Sequence, residues 1–358
     1  MAGWFQRQSR ILPWRENPDT YRVWISEIML QQTQVVTVIP YFEKFVARFP
    51  DVKSLATAPV EDVLLHWAGL GYYSRARNLH RGAQMIYSSG KARFPKDREG
   101  WLEIPGVGDY TAGAILSISL NQPEAILDGN VERVISRLRR VSRAGNLTHY
   151  KERLWRLSRI FVERANSLGI EPRVTNQALM ELGATVCSPK KPKCLLCPLV
   201  ELCRAHQASE EERFPTKKKP KEWLEVKEEV HCFIDREGRV LLRQRNKGEW
   251  RAGLWDLLGE QPQDFKSIYI GEVKSKHIVT RHKISRLTKI WRVEKASKKL
   301  LTAAEPSFQL RQSELRWISP ENPGVALGSA LKKTLSQVRE TFPEAWPASS
   351  TLRVASSD

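Results

Sequence analysis

Long apolar runs are missing from this chain. No stretch approaches the ~18 residues of a membrane-spanning helix, and the first residues, MAGWFQRQSRILPW, lack the apolar core of a signal peptide. No membrane partner is expected, and the reducing cytoplasm is the expected compartment. Internal repeats are missing too. Cysteine is scarce, with five among 358 residues. Acidic residues are outnumbered: 40 Asp and Glu face 58 Lys and Arg, a formal net charge of +18. A basic excess of that size points to a polyanion, with nucleic acid the first candidate.

The length suits two domains, each with its own core. Residues 1–204 read as mostly helical. YRVWISEIMLQQTQVVTVI is one helix-length stretch, too densely apolar for a surface helix. VEDVLLHWAGL and KERLWRLSRIFVERANSL carry helical spacing, and Pro40, Pro59, Pro95 and Pro105 punctuate the helices. Residues 205–224 are polar and charged, and read as an exposed interdomain linker; KKKPK belongs to it rather than to a nuclear signal. Residues 225–346 read as α+β. EVHCFID and VLLRQR flank a turn containing Gly238, SKHIVTRHKISRLTKIWRVE alternates like strand, and GSALKKTLSQVRETF reads as a late helix. Residues 347–358 read as a disordered tail.

Pro105-Gly106-Val107-Gly108 lies between WLEI and YTAGAILSI. Glycine admits backbone angles closed to other residues and lets the chain approach a ligand closely. The N-terminus of the following helix then offers free N–H groups to an anion. Alone, a Gly-x-Gly turn is most often just a tight turn. In this setting, over about residues 98–119, it reads as helix–hairpin–helix, a module that grips DNA phosphate without reading bases.

Cys187, Cys194, Cys197 and Cys203 follow the spacing C-x6-C-x2-C-x5-C. Four thiols so close together in a reduced compartment mean a metal site rather than disulfides. Thiolates suit zinc or an iron–sulfur cluster alike. Cys232, flanked by Val230 and Phe233, reads as a plain buried thiol.

LEIPGVGDYTAGAI resembles the hairpin of the helix–hairpin–helix DNA glycosylases. Taken with EIMLQQTQV, GLGYYSRARNL, LDGNVERV and the cysteines, residues 10–204 resemble the endonuclease III-like MutY family of adenine DNA glycosylases. The resemblance implies a mostly α catalytic domain with a 4Fe-4S cluster on the four cysteines, its loop spanning 187–203. It also implies a Nudix-like domain over 225–346 that recognises 8-oxoguanine. The implied activity is base excision repair: removal of adenine opposite 8-oxoguanine or guanine in double-stranded DNA, by a monomer on a bacterial nucleoid.

The roles of individual residues follow from the same resemblance. Glu27 is the general acid, although a lone helical glutamate is usually solvated; its neighbours Trp24, Ile28 and Leu30 are apolar. Burial there keeps a carboxyl protonated near neutrality. Asp128, by itself an ordinary helix-cap residue, stabilises the sugar cation, and Asn130 positions nucleotide and water. Tyr110 stands where bifunctional relatives carry a lysine; a phenol forms no Schiff base, so a monofunctional enzyme is implied. Gln32 and Tyr72 are the wedges that open the base stack, and Gln31 lies beside the DNA. Trp14, Arg15, Leu30 and Gln177 contact the base, and Pro105, Gly106, Val107 and Gly108 the backbone. In the second domain Thr280-Arg281-His282 stands where the family has Phe-Ser-His, leaving Arg281 and His282 as lesion readers.

Three other readings stand beside this one. A catalytically idle DNA-binding homologue conflicts with intact Glu27, Asp128, Asn130 and Tyr110. A strand-nicking lyase conflicts with the missing hairpin lysine. GLWDLLGEQPQDF echoes a Nudix strand and turn, but the glutamate-rich magnesium box is absent, which argues against phosphohydrolase activity.

Overall fold

The computed structural model describes residues 1–143, 146–216, 222–246, 249, 252–262, 265–279, 281–296 and 315–346. Thr280, residues 217–221 of the expected linker and the expected tail 347–358 lie outside the described residues. The chain forms two compact units: Met1–Val63 with Ser74–Lys219, and Leu64–Tyr73 with Pro220–Asp358.

The helices up to the linker are α1 Ala2–Gln8, α2 Pro13–Glu16, α3 Thr20–Leu30, α4 Val35–Arg48, α5 Val52–Thr57, α6 Val60–Trp67 and α7 Ser74–Ile86. They continue with α8 Arg98–Glu103, α9 Asp109–Leu120, α10 Gly129–Arg139, α11 Leu147–Ser167, α12 Pro172–Thr185 and α13 Arg204–Gln207. α3 is buried from Val23 to Met29 and α9 from Thr111 to Ile118. These two helices pack against each other at the centre of the first unit, which explains why neither carries a one-sided apolar stripe. Asp19 starts α3 by accepting from the Arg22 N–H at 2.8 Å.

Two expectations are corrected here. The stretch read as one helix is two: α3 stops at Leu30 and α4 begins at Val35. Gln32 between them has φ 60°, the left-handed region, which ends a right-handed helix. The first unit also continues past residue 204. Ala205 is fully buried, the Phe214 carbonyl accepts from Arg137 Nε at 3.0 Å, and the Arg140 guanidinium sits 6.0 Å from the centre of the Phe214 ring. The polar composition of this segment concealed its anchorage on α10.

The second unit holds β1 Leu224–Ile234, β2 Val240–Gln244, β3 Trp255–Asp256, β4 Phe265–Val279, β5 His282–Ala296, β6 Leu315–Ile318 and α14 Ser329–Thr341. The strands form one sheet in the order β3-β2-β1-β5-β4, with β6 also paired to β2. β1 and β5 run parallel and the other pairs antiparallel. The β1–β2 hairpin turns through Gly238 as the sequence indicates. Cys232 is fully buried with Val230, Ile234 and Leu242 in a core that includes Leu331, Leu335 and Val338 of α14. This is the α+β architecture expected of a Nudix-like domain. Among the described residues no helix is long and apolar enough to cross a membrane.

Candidate active site

One cavity of about 490 Å³ in the first unit brings together most of the residues singled out from the sequence. Trp14, Arg15, Glu27, Leu30, Gln31, Gln32, Tyr110, Asp128, Asn130 and Gln177 all line it. Tyr72, 39% exposed in a left-handed turn with φ 48°, is not among the lining residues. Trp14 is held edge-on to Phe42 of α4, with ring centroids 5.4 Å apart.

Glu27 comes from the middle of α3 and is only 3% exposed. The Tyr110 hydroxyl, from the first turn of α9, donates to its Oε2 at 2.8 Å. Burial pushes the Glu27 carboxyl up to about 7; the Tyr110 hydrogen bond opposes this, and the charge of Asp128 adds to it. Tyr110 in turn is held well above the usual phenol range, by burial first and then by Glu27 and Asp128.

Asp128 is the N-cap of α10. Its Oδ1 accepts from the backbone N–H of Asn130 at 3.0 Å and of Val131 at 2.7 Å, and its Oδ2 from Asn130 Nδ2 at 3.1 Å. Burial raises its pKa, and these donors, with Arg133, pull against that rise. The capping reading and the chemical reading of Asp128 therefore describe the same carboxylate. Arg133 fixes Asn130 in turn, donating to its Oδ1 at 2.8 Å and to the carbonyls of Gly183 and Cys187, both at 2.6 Å. A Cβ on Gly183 would lie 2.6 Å from Asn130 Cβ, so only glycine lets α12 approach α10 this closely.

The hairpin lies beside this cavity. α8 and α9 flank the Pro105–Gly108 turn, in which Gly106 has φ 84° and Gly108 caps α9. Val107 is buried, which anchors the turn.

Sequence reasoning missed Arg10 and Glu181, which also line the cavity. Glu181 is fully buried. It accepts from Arg10 Nε at 2.7 Å and from Arg15 Nη2 at 2.8 Å. Burial alone would raise its pKa; the two guanidiniums outweigh it and hold the carboxylate low. The available signal was an acid within the apolar NQALMELG, the same signal that marked Glu27.

Cys187, Cys194, Cys197 and Cys203 line a second, smaller cavity with Arg137 and His206. Arg137 donates to Cys187 Sγ at 3.3 Å and the Leu199 N–H to Cys197 Sγ at 3.4 Å. Cys194 instead faces the Glu211 carboxylate at 3.5 Å, and burial followed by that contact pushes its thiol up to about 11. Cys194, His206 and Glu211 bring ligand atoms within 4.8 Å of one another. All four cysteines thus border one cavity, the donor set that a metal centre held by cysteine sulfurs would need.

In the second unit Arg281 is exposed and His282 begins β5; the Arg281 carbonyl accepts from the Leu224 N–H at 2.9 Å.

A helical hairpin thus stands beside a cavity that holds two carboxylates, Glu27 and Asp128. Residues 25–159 match the HhH-GPD superfamily of base excision DNA repair proteins. Over 253 residues the chain is 40% identical to the adenine DNA glycosylase of Buchnera aphidicola subsp. Acyrthosiphon pisum, covering 70% of this chain and 71% of that one. The chain belongs to the adenine DNA glycosylase family. It is 41% identical to the enzyme of Buchnera aphidicola subsp. Schizaphis graminum over 63% of this chain and 64% of that one. With the human enzyme the identity is 42%, over 60% of this chain and 40% of that one. The matched region thus spans less than two thirds of these last two relatives.

Proposed function

We propose that the protein is a monofunctional adenine DNA glycosylase that hydrolyses the N-glycosidic bond of adenine mispaired with 8-oxoguanine or guanine. The observation that carries this reading is the buried Glu27, hydrogen-bonded to Tyr110 in the cavity it shares with Asp128. The protein acts as a monomer on duplex DNA of the nucleoid.

The extruded adenine occupies the cavity between Trp14, Leu30 and Gln177, with Gln32 filling its place in the duplex. Glu27, protonated in a large fraction of molecules near neutrality, delivers its proton to a ring nitrogen away from the sugar. The glycosidic bond then breaks with its electron pair on the departing base. General acid catalysis of this kind supplies about 10²–10⁴-fold. The sugar is left as an oxocarbenium ion facing Asp128, whose charge stabilises it. Water adds at the anomeric carbon, and its proton passes to the Asp128–Asn130 pair. Tyr110 orients Glu27 and has no amine with which to continue to strand cleavage.

Cys187, Cys194, Cys197 and Cys203 would hold a 4Fe-4S cluster, which when bound supplies a structural cross-link to the segment that follows α12. Arg281 and His282 donate to 8-oxoguanine. The test is to incubate labelled duplexes bearing adenine opposite 8-oxoguanine, then treat with alkali. Strand breaks are expected only after alkali, and borohydride is expected to trap little covalent complex. Breaks without alkali, together with efficient trapping, would overturn the monofunctional reading; undamaged adenine would overturn the glycosylase reading.

A further inference from the structure

The bend after α3 is held from α7. α3 ends at Leu30, so the carbonyls of its last turn lack donors within the helix. Arg75, only 7% exposed, reaches them from the start of α7. Its Nη1 lies 3.0 Å from the Ile28 carbonyl and 2.7 Å from that of Met29, and also donates to the carbonyl of Gln31. Its Nη2 donates to Thr33 Oγ1 at 3.1 Å. A cation there also faces the negative end of the helix dipole.

Between the two outer contacts stands Gln32, with φ 60°. That conformation is disfavoured for any residue with a Cβ, and least so for Asn among polar ones. Such a residue persists when its surroundings hold both flanks, as Arg75 does here at Gln31 and Thr33. The Gln31 side chain fixes the same turn from the other side, donating to the Gly106 carbonyl and to Thr111 Oγ1, both at 3.4 Å. Gln31, Gln32 and Thr33 all line the cavity, one turn of chain beyond Glu27.

We infer that Arg75 is a positioning residue for base extrusion, clamping the Gln31–Thr33 turn so that Gln32 stands in its left-handed conformation at the rim of the cavity. The inference rests on reading Gln32 as the side chain that replaces the extruded base. Arg75 touches neither base nor sugar.

The test is a cycle of Arg75→Met and Gln32→Asn, with Arg75→Lys beside them. Single-turnover excision is measured on adenine opposite 8-oxoguanine and on adenine opposite an abasic site. Extrusion is read from 2-aminopurine fluorescence at the target position. Arg75→Met is expected to lower excision from the paired duplex by roughly ten-fold or more, as a misplaced reacting geometry does, with the fluorescence rise lost in parallel. On adenine without a partner base, whose extrusion is easier, the loss should shrink to about three-fold or less. The alkaline limb of the rate profile should not move. Because asparagine tolerates the turn without the clamp, Arg75→Met should matter less in the Gln32→Asn background. Arg75→Lys, which keeps the charge without the fork, should fall between wild type and Arg75→Met and serves if the methionine variant unfolds.

Equal losses on both substrates and in both backgrounds, or a moved alkaline limb, would overturn the inference and leave the glycosylase reading standing. Wild-type protein that excises adenine but never raises 2-aminopurine fluorescence would overturn the extrusion role itself. Wild-type protein that leaves adenine intact would overturn the reading beneath both.

Discussion

Replacing Glu27 by glutamine should stabilise this protein, and more so as the pH rises. A carboxyl whose pKa rises from 4.5 in the unfolded chain to about 7 in the folded one binds its proton more tightly when folded. The folded state is therefore penalised as the pH rises from the lower value through the higher, and the penalty is complete above it. The rise from 4.5 to about 7 corresponds to about 3 kcal/mol at full extent. Most of that penalty is absent near pH 5 and nearly all of it is present near pH 8.5. Glutamine occupies almost the same volume, can accept from the Tyr110 hydroxyl and carries no titrating proton. Its advantage over the wild type should therefore grow by roughly 2–3 kcal/mol across that range. At about 2–4 °C per kcal/mol for a domain of this size, the difference in melting temperature should widen by roughly 5–10 °C. Urea melts of both proteins, prepared anaerobically and run side by side across this pH range, measure it. The same variant should bind the mispaired duplex and fail to excise. A stability difference that stays flat with pH would mean that Glu27 is not held protonated by burial, and the acid assignment would lose its physical basis.

Tyr110→Phe removes the one hydrogen bond that lowers the Glu27 pKa, so the alkaline limb of single-turnover excision should move to higher pH; a limb that stays in place or moves down refutes the coupling. Protein purified anaerobically should carry four irons per chain and absorb broadly near ~400 nm, whereas stoichiometric zinc without iron would refute the cluster. Arg281→Ala and His282→Ala should each reduce the preference for adenine opposite 8-oxoguanine over adenine opposite guanine; unchanged rate and affinity ratios in both variants would place the lesion reader elsewhere.

What could be read from sequence divides along physical lines. Glu27 was legible because an acid amid Trp24, Ile28 and Leu30 is locally anomalous, and the structure buries it with Trp24 and Ile28. Asp128 was legible as a helix cap from its own neighbourhood, and its capping donors are its nearest neighbours in the chain. The cysteine cluster was legible because its members lie close in sequence. Arg75 and Arg10 were not, because their acceptors lie elsewhere: Arg75 serves carbonyls of α3, and Arg10 meets an acid 171 residues away. A basic residue carries no local mark of such a partner in a chain so rich in lysine and arginine. The break between α3 and α4 was hidden for a related reason. Gln31-Gln32-Thr33 has no glycine or proline to announce a turn, and what holds the Gln31 carbonyl and the Thr33 hydroxyl comes from α7.

The two carboxylates that line one cavity, Glu27 and Asp128, meet different surroundings. Glu27 is buried and Asp128 half-buried, and desolvation raises the pKa of both. They differ in what faces them. Asp128 sits at the start of α10, where two backbone N–H groups and the Asn130 amide converge on its two oxygens. Those donors point at the carboxylate whether or not substrate is present, and the positive end of the helix favours charge there. Glu27 lies mid-helix, where every nearby backbone N–H is already committed to the helix, and its hydrogen bond is to a single phenol. Asp128 is also one of the charges that disfavour ionisation of Glu27. The donors on Asp128 oppose the rise that burial imposes on its pKa, whereas Glu27 has a single such hydrogen bond. Those donors come from the start of α10, so where that helix begins decides what faces Asp128. Gly183 and Arg133 set the approach of α12 to that helix end and fix Asn130 beside it.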